Sequence, residues 1–292
     1  MDLQPIFDSP ILEQTYLDRD YSGFGNDVWV VHAAAEHVVV RVSARSGAGG
    51  AFWTGVARLF GIDSTDMGRL RVINDAINDA GVFRAPRVLR TGTIDGRTYA
   101  VTDLMPGRRV GSFDDLSPTT AEAFGRALAH GHERTLAYCG SPAARTTYPV
   151  ADFHRRAADA IEWLCHEFRA DCKSDLAIAL KCAATLRALP SASAASLILF
   201  DIGGSQYLWN DDGPTAVVDT EVYAFAPKEL ELIVLESDNG APFASAFRRG
   251  YESMSILPDL TAVREPYRCL IALIEVNGVM GLAEALSAPV WF

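Results

Sequence analysis

The break at Met105-Pro-Gly107 constrains this chain more than any other feature, because the pattern of residues differs on its two sides. Before it, β-branched runs dominate. Residues 27–31 and 37–42 read as two strands separated by Ala-Ala-Ala-Glu, which predicts an antiparallel hairpin. The turn-prone stretch Ser22-Gly-Phe-Gly-Asn26 opens the first strand, and Gly-rich residues 46–50 precede a helical stretch at 52–60. Met67, Leu70, Ile73 and Ile77 recur at helical spacing over 64–80, with Ser64 or Thr65 as the expected N-cap and Gly81 as the stop. Strands at 87–90 and 97–102 flank the turn signal Asp95-Gly96.

After Pro118 helices take over, at 119–136, 150–168 and 174–189, and the remainder after Asp219 is again helical. Two short apolar runs interrupt them, Leu197–Phe200 and Thr215–Val218, and each leads straight into an aspartate, Asp201 and Asp219. A turn at Asn210-Asp-Asp-Gly213 lies between, so the two acids are expected at one end of a small hairpin. The expected fold class is therefore α+β, with a small antiparallel β-rich lobe over 1–103 and a larger α-helical lobe over 104–292.

Composition narrows the function classes. At 292 residues and 49% hydrophobic, the chain can bury a sizeable core without a staple. Its five cysteines form no C-x-x-C pair and read as reduced thiols. A formal net charge of −11 argues against nucleic acid as the main partner. The first ten residues lack a signal-peptide pattern, and the apolar tract from Cys269 to Leu286 is interrupted by Glu275 and Glu284. A cytoplasmic protein that does not engage membranes is the expectation.

Asp201, Gln206 and Asp219 are the residues that suggest chemistry. Two carboxylates brought to one strand end can hold a hard cation through oxygen and orient a hydroxyl for attack. The segments LFDIGGSQYLW and AVVDTE resemble the catalytic core of the aminoglycoside phosphotransferase and choline kinase-like family, relatives of the protein kinases. SGFGNDVWVV, VVVRV, VTDLMPG and GRALAHGH resemble further family segments in the family's order.

The resemblance implies a two-lobed protein-kinase-like fold and ATP-dependent transfer of a phosphoryl group to a hydroxyl of a small molecule. An aminoglycoside, amino alcohol, sugar or related metabolite would be the acceptor, and acidic residues in the helical lobe favour a cationic one. It implies Asp201 as the catalytic aspartate that orients the attacking hydroxyl and can deprotonate it, and Asp219 with Gln206 as ligands of Mg²⁺. Gly23, Gly25, Asn26 and Arg41 would hold phosphates, and Thr102, Asp103 and Leu104 would receive adenine.

The chain departs from the family pattern at four places. Leu199 and Phe200 replace the usual His-Gly, Gln206 stands where Asn is usual, and Arg41 replaces Lys. The acid expected on the helix after the first hairpin is missing near Leu70, where Asp66 and Asp75 are only neighbours. These departures define the alternative, a repurposed nucleotide- or small-molecule-binding protein on the same fold. His132 is expected to be structural, supporting the catalytic loop. Other mechanisms lack their signatures: there is no P-loop, no G-x-S-x-G, and the Gly47–Phe52 stretch fails the dinucleotide fingerprint.

Overall fold

The computed structural model describes residues 1–17, 26–43, 49–237 and 239–292. Gly23 and Gly25 lie outside the described residues. A five-stranded antiparallel sheet has the order β1-β2-β3-β5-β4, built from β1 (Ile11–Tyr16), β2 (Asp27–Ala33), β3 (Glu36–Val42), β4 (Val88–Ile94) and β5 (Arg97–Asp103). The expected hairpin is β2–β3, in register from Asp27↔Val42 to Ala33↔Glu36. Alternation puts Val31, Val38, Val40 and Val42 on one face, where they bury against Leu3, Ile6 and Phe7. β1 carries no such alternation and is exposed along nearly its whole length, as an edge strand allows, so the pattern of the sequence hid it.

Two helices separate β3 from β4: α1 (Ala51–Phe60) and α2 (Arg69–Ala80). Gly81 ends α2 with φ +74°. The start of α2 differs from expectation. Asp63 accepts hydrogen bonds from the Thr65 amide (3.0 Å) and hydroxyl (2.6 Å), making a local turn that delays the helix to Arg69. α1 is buried in the same cluster as the helices of the larger lobe, and a Cβ on its Gly55 would lie 2.6 Å from Ile274.

Beyond Asp103 the described residues form α3 (Pro118–Glu133), α4 (Phe153–Arg169), α5 (Lys173–Ala188), α6 (Lys228–Ser237), α7 (Ala241–Glu252), α8 (Arg264–Ile274) and α9 (Leu282–Leu286). Three two-stranded sheets lie among them: β6 (Tyr138–Cys139) with β7 (Tyr148–Pro149), β8 (Ser196–Leu199) with β11 (Tyr223–Ala226), and β9 (Tyr207–Asn210) with β10 (Gly213–Val217). The run before Asp201 therefore does not pair with the run before Asp219. Each belongs to its own sheet, and the single hairpin expected from the sequence is two nested pairs, β9–β10 enclosed by β8–β11.

Helices α3 and α7 cross at backbone contact. A Cβ on Gly125 would fall 2.2 Å from the Phe247 carbonyl oxygen, and one on Gly250 would fall 1.9 Å from that of Glu122. Both glycines therefore serve close approach, with a neighbour that is backbone and cannot rotate away. Gly250→Ala is expected to destabilise by about 3 kcal/mol or more through overpacking, read as a lowered denaturant midpoint at unchanged slope.

No helix of the described residues is long and apolar enough to cross a membrane.

Candidate active site

The site is assembled where β3 meets the segment following β10. Arg41 projects from β3 with 13% of its side chain exposed and donates to Glu221 (2.9 Å) and Asp219 (3.4 Å) through one terminal nitrogen. Its other terminal nitrogen donates to the Val218 carbonyl. Asn26 also donates to Glu221. Glu221 thus draws two residues of the small lobe onto the segment that carries Asp219.

Glu221 answers the question left by the missing acid on α2. Asp66 is paired with Arg69, Asp75 is exposed, and neither reaches Arg41. The partner comes instead from two residues beyond Asp219, in the segment read as AVVDTE. That spacing was visible in the sequence, but nothing in it said which strand Glu221 faces. α2 still touches the site through Asn74, whose carbonyl accepts from the Thr220 hydroxyl (2.6 Å) while its amide donates to Pro86 O (2.7 Å).

Asp201 sits just past β8, and its placement has three supports. The Leu199 amide donates to Glu231 on α6 (2.6 Å); Glu231 is in turn hydrogen-bonded to the buried His132 ring (2.7 Å), and that ring to the Tyr251 hydroxyl (2.9 Å). His132 therefore has a structural place, bracing the Asp201 loop from behind through Glu231. Phe200, in place of the family's Gly, is fully buried and packs edge-on against Phe60 of α1 at 5.3 Å.

The third support is Gln206, which donates to an Asp201 carboxylate oxygen (3.3 Å). Its own backbone carbonyl accepts from the Val218 amide (2.8 Å), so Gln206 links the loop of Asp201 to the residue before Asp219. With its amide nitrogen turned to Asp201, the side-chain oxygen is the atom left for a cation.

The electrostatics separate the three acids. Burial, and then the nearby Asp219 charge, push the Asp201 carboxyl well above its ordinary range. Glu221 is raised well up for the same two reasons. Burial also raises Asp219, but a hydrogen bond shared with Glu221 and the charges of Arg41 and Arg109 outweigh it and bring it below its ordinary range. Asp219 is thus the most readily ionised of the three, and Glu221 gives up its proton less readily than an ordinary glutamate.

The residue types fit Mg²⁺. One oxygen of Asp201 is buried with no hydrogen-bond partner, an unfavourable state that a hydroxyl donating to it or a cation close by relieves. Asp219 keeps 43% of its side chain exposed beside it. Among the described residues no group of three or more His, Cys, Asp or Glu forms an all-protein metal cage. That agrees with Mg²⁺, which takes one or two carboxylates and completes its shell with phosphate and water.

Strand β5, whose end the resemblance assigned to adenine, stops nearby. Thr102 is buried between Val39 and Val88, while the Asp103 amide donates to Arg87 O (3.1 Å) and its carboxylate pairs with the Arg87 guanidinium (2.8 Å). Leu104, 40% exposed, is the first residue off the sheet. Gly107 (φ +136°) then presses the linker onto β9–β10, where a Cβ would stand 2.6 Å from the Thr215 hydroxyl and 2.8 Å from Leu208.

A strand arginine paired across to a carboxylate cluster at the foot of a five-stranded sheet, beside a loop acid braced from a helical lobe, defines a two-lobed protein-kinase-like phosphotransferase. Residues 19–266 match the model of the phosphotransferase enzyme family, and the chain belongs to that family. No curated protein sequence matches the chain directly.

Among solved structures, the macrolide 2′-phosphotransferase MphH from Brachybacterium faecium is similar, with 14% identity, coverage of 99% of this chain and 97% of that one, and a TM-score of 0.60. A thermostable variant of the aminoglycoside phosphotransferase APH(4)-Ia, in complex with ADP and hygromycin B, shares 18% identity over 94% and 88% of the two chains, with a TM-score of 0.58. A variant of an aminoglycoside 2′-phosphotransferase in its GDP complex shares 14% identity over 94% and 86%, with a TM-score of 0.61.

Proposed function

We propose that this phosphotransferase moves the γ-phosphoryl group of ATP to a hydroxyl of a small molecule, with residues 1–103 as the nucleotide-binding lobe and 104–292 as the catalytic and acceptor-binding lobe. The observation that carries this reading is the orphaned, buried Asp201 oxygen beside an ionised Asp219, tied together by Gln206. Asp219 and the Gln206 side-chain oxygen would hold Mg²⁺, which when bound neutralises phosphate charge.

Arg41 has five N–H donors, and those not taken by Asp219, Glu221 and Val218 remain for a phosphate oxygen. Asn26 and the glycines Gly23 and Gly25 would cover the phosphates, and the backbone of Thr102, Asp103 and Leu104 would lie along the adenine. Asp201, its carboxylate held by Gln206, would align the acceptor hydroxyl and receive its proton. The acceptors named in the neighbours, hygromycin B among them, support a hydroxylated acceptor, and the acid-rich site favours a cationic one.

Thermal-shift titration with ATP tests the reading. ATP should raise the melting temperature only when Mg²⁺ is present, and Asp219→Ala should remove most of that metal dependence. Stabilisation by ATP that does not respond to Mg²⁺ or to the substitution would leave a nucleotide-binding relative without transfer. No response to ATP or GTP would end the phosphotransferase reading.

A further inference from the structure

We infer that Asn74 of α2 is a positioning residue: through Thr220 it fixes the segment that carries Asp219, and so governs how tightly a metal–nucleotide is held. This role rests on the phosphotransferase reading and deepens it. Asp219 and Glu221 both turn to β3, where they accept from the same Arg41 nitrogen at 3.4 and 2.9 Å. Thr220, between them, turns instead to α2. Its hydroxyl donates to Asn74 Oδ1 at 2.6 Å, and both residues are only 2% exposed. A shift of Thr220 therefore carries along the two carboxylates that flank it.

Asn74 serves as a fixed stop because its own orientation is not free. Its amide nitrogen donates to the Pro86 carbonyl at 2.7 Å, an oxygen that can only accept, so the side-chain oxygen must face Thr220. Residues 84–87 are themselves held on several sides. Asn78, one turn along α2, accepts from the Ala85 amide at 3.0 Å and donates to its carbonyl at 3.1 Å. The Arg84 carbonyl accepts from the Val217 amide at 2.9 Å, and the Arg87 carbonyl from the Asp103 amide at 3.1 Å. This short stretch thus joins α2 to the end of β5 and to the strand that leads to Asp219.

Before Asp219, backbone hydrogen bonds at Val217 and Val218 hold the chain; just after it, the Thr220 side chain takes over that task. Asp219 itself keeps 43% of its side chain exposed, so packing alone does not confine it. Mg²⁺ demands near-ideal octahedral geometry, and a carboxylate on a loosened segment meets that demand less often. Groups that orient a ligand from behind typically matter about tenfold to a hundredfold in metal affinity.

Affinity of the full chain for Mn²⁺ with AMP-PNP, repeated with GMP-PNP and read by the spin resonance of the metal, provides the test. Asn74→Ala should weaken it by about tenfold. Thr220→Val, which keeps the shape and removes the hydroxyl, should lose as much, and Thr220→Ser should recover most of the loss. The double variant should lose no more than either single one, because both cut the same link. Asn78→Ala is the structural control: it should lower the melting temperature yet hold the metal–nucleotide as the unaltered chain does. Affinity for adenosine, which brings no metal, should not change in any variant.

The inference is overturned if Asn74→Ala or Thr220→Val binds Mn²⁺ and the analogue normally, if Asn78→Ala loses as much, if the two losses add, or if adenosine is weakened equally. Should Asn74→Ala not fold, Thr220→Val and Thr220→Ser decide alone. If the unaltered chain holds Mn²⁺ with neither analogue, the phosphotransferase reading fails and this inference fails with it. Normal binding by the unaltered chain and by Thr220→Val removes the inference alone.

Discussion

Asp201→Asn should lower phosphoryl transfer by about 10³-fold while leaving nucleotide binding nearly intact, and should at the same time make the protein more stable at neutral pH. The loss follows from the role assigned to the carboxylate, since a positioned base contributes about 10² to 10⁴ in rate and an amide cannot accept the proton. Asn keeps the size and one carbonyl oxygen, so the Gln206 contact and the loop should survive.

The gain in stability follows from the titration. Burial and the Asp219 charge hold the Asp201 carboxyl well above its ordinary value of 3.8. A carboxyl raised in the folded state contributes stability that is complete below the unfolded value and is lost as pH rises through the folded one. At pH 7 the wild-type chain carries that loss and the Asn variant does not. Chemical denaturation at several pH values should therefore show the variant ahead at neutral pH, with its advantage gone below about pH 4. A variant that is inactive but no more stable at pH 7 would contradict the raised carboxyl, and one with full turnover would remove Asp201 from the chemistry. Magnesium should reduce the stability difference, because a bound cation favours the ionised wild-type carboxylate.

Glu236→Ala should cost about 3–5 kcal/mol, the range for removing one partner of a buried ion pair. Glu236 is fully buried on α6 and accepts from Arg264 (2.9 Å) and Arg268 (2.8 Å) of α8 through one oxygen. Its other oxygen accepts from the Trp291 and Phe292 amides, both 3.0 Å. Arg268, 3% exposed, donates in addition to the carbonyls of Ala288 and Pro289, each 2.6 Å. One carboxylate thus binds α6, α8 and residues 288–292 together, and deleting it strands two arginines.

A melting temperature lowered by roughly 10 °C is the expected reading for a chain of this size. Amide exchange should rise at Trp291 and Phe292, whose donors lose their acceptor. Glu236→Gln should recover only part of the loss, because the amide keeps one acceptor oxygen but no charge. A melting temperature within a degree or two of wild type would show that the arginines find other partners. The site lies on the far side of α6 from Glu231, so the effect on nucleotide affinity measured well below the melting temperature should be small.

The sequence by itself determined the order of elements and the residue types at the centre. β-Branched, Val-rich runs produced β2 and β3, helical spacing of Leu70, Ile73 and Ile77 produced the body of α2, and the resemblance placed Asp201, Gln206 and Asp219 in one site. These are local properties: a period of two or 3.6 and a fixed spacing of polar residues are written along the chain. His132 was legible for the same reason, from its place at the end of α3.

What depended on distant contacts was not legible. β1 has no alternation, and only the edge of β2 makes it a strand. The start of α2 was decided by a turn at Asp63. The runs before Asp201 and Asp219 pair with β11 and β9 rather than with each other, a choice between strands of similar apolar character that the sequence does not encode locally. Above all, the acid opposite Arg41 proved to be Glu221, 180 residues away. Pairing of charges across a cleft depends on which backbones face one another, and that is settled only when both lobes pack.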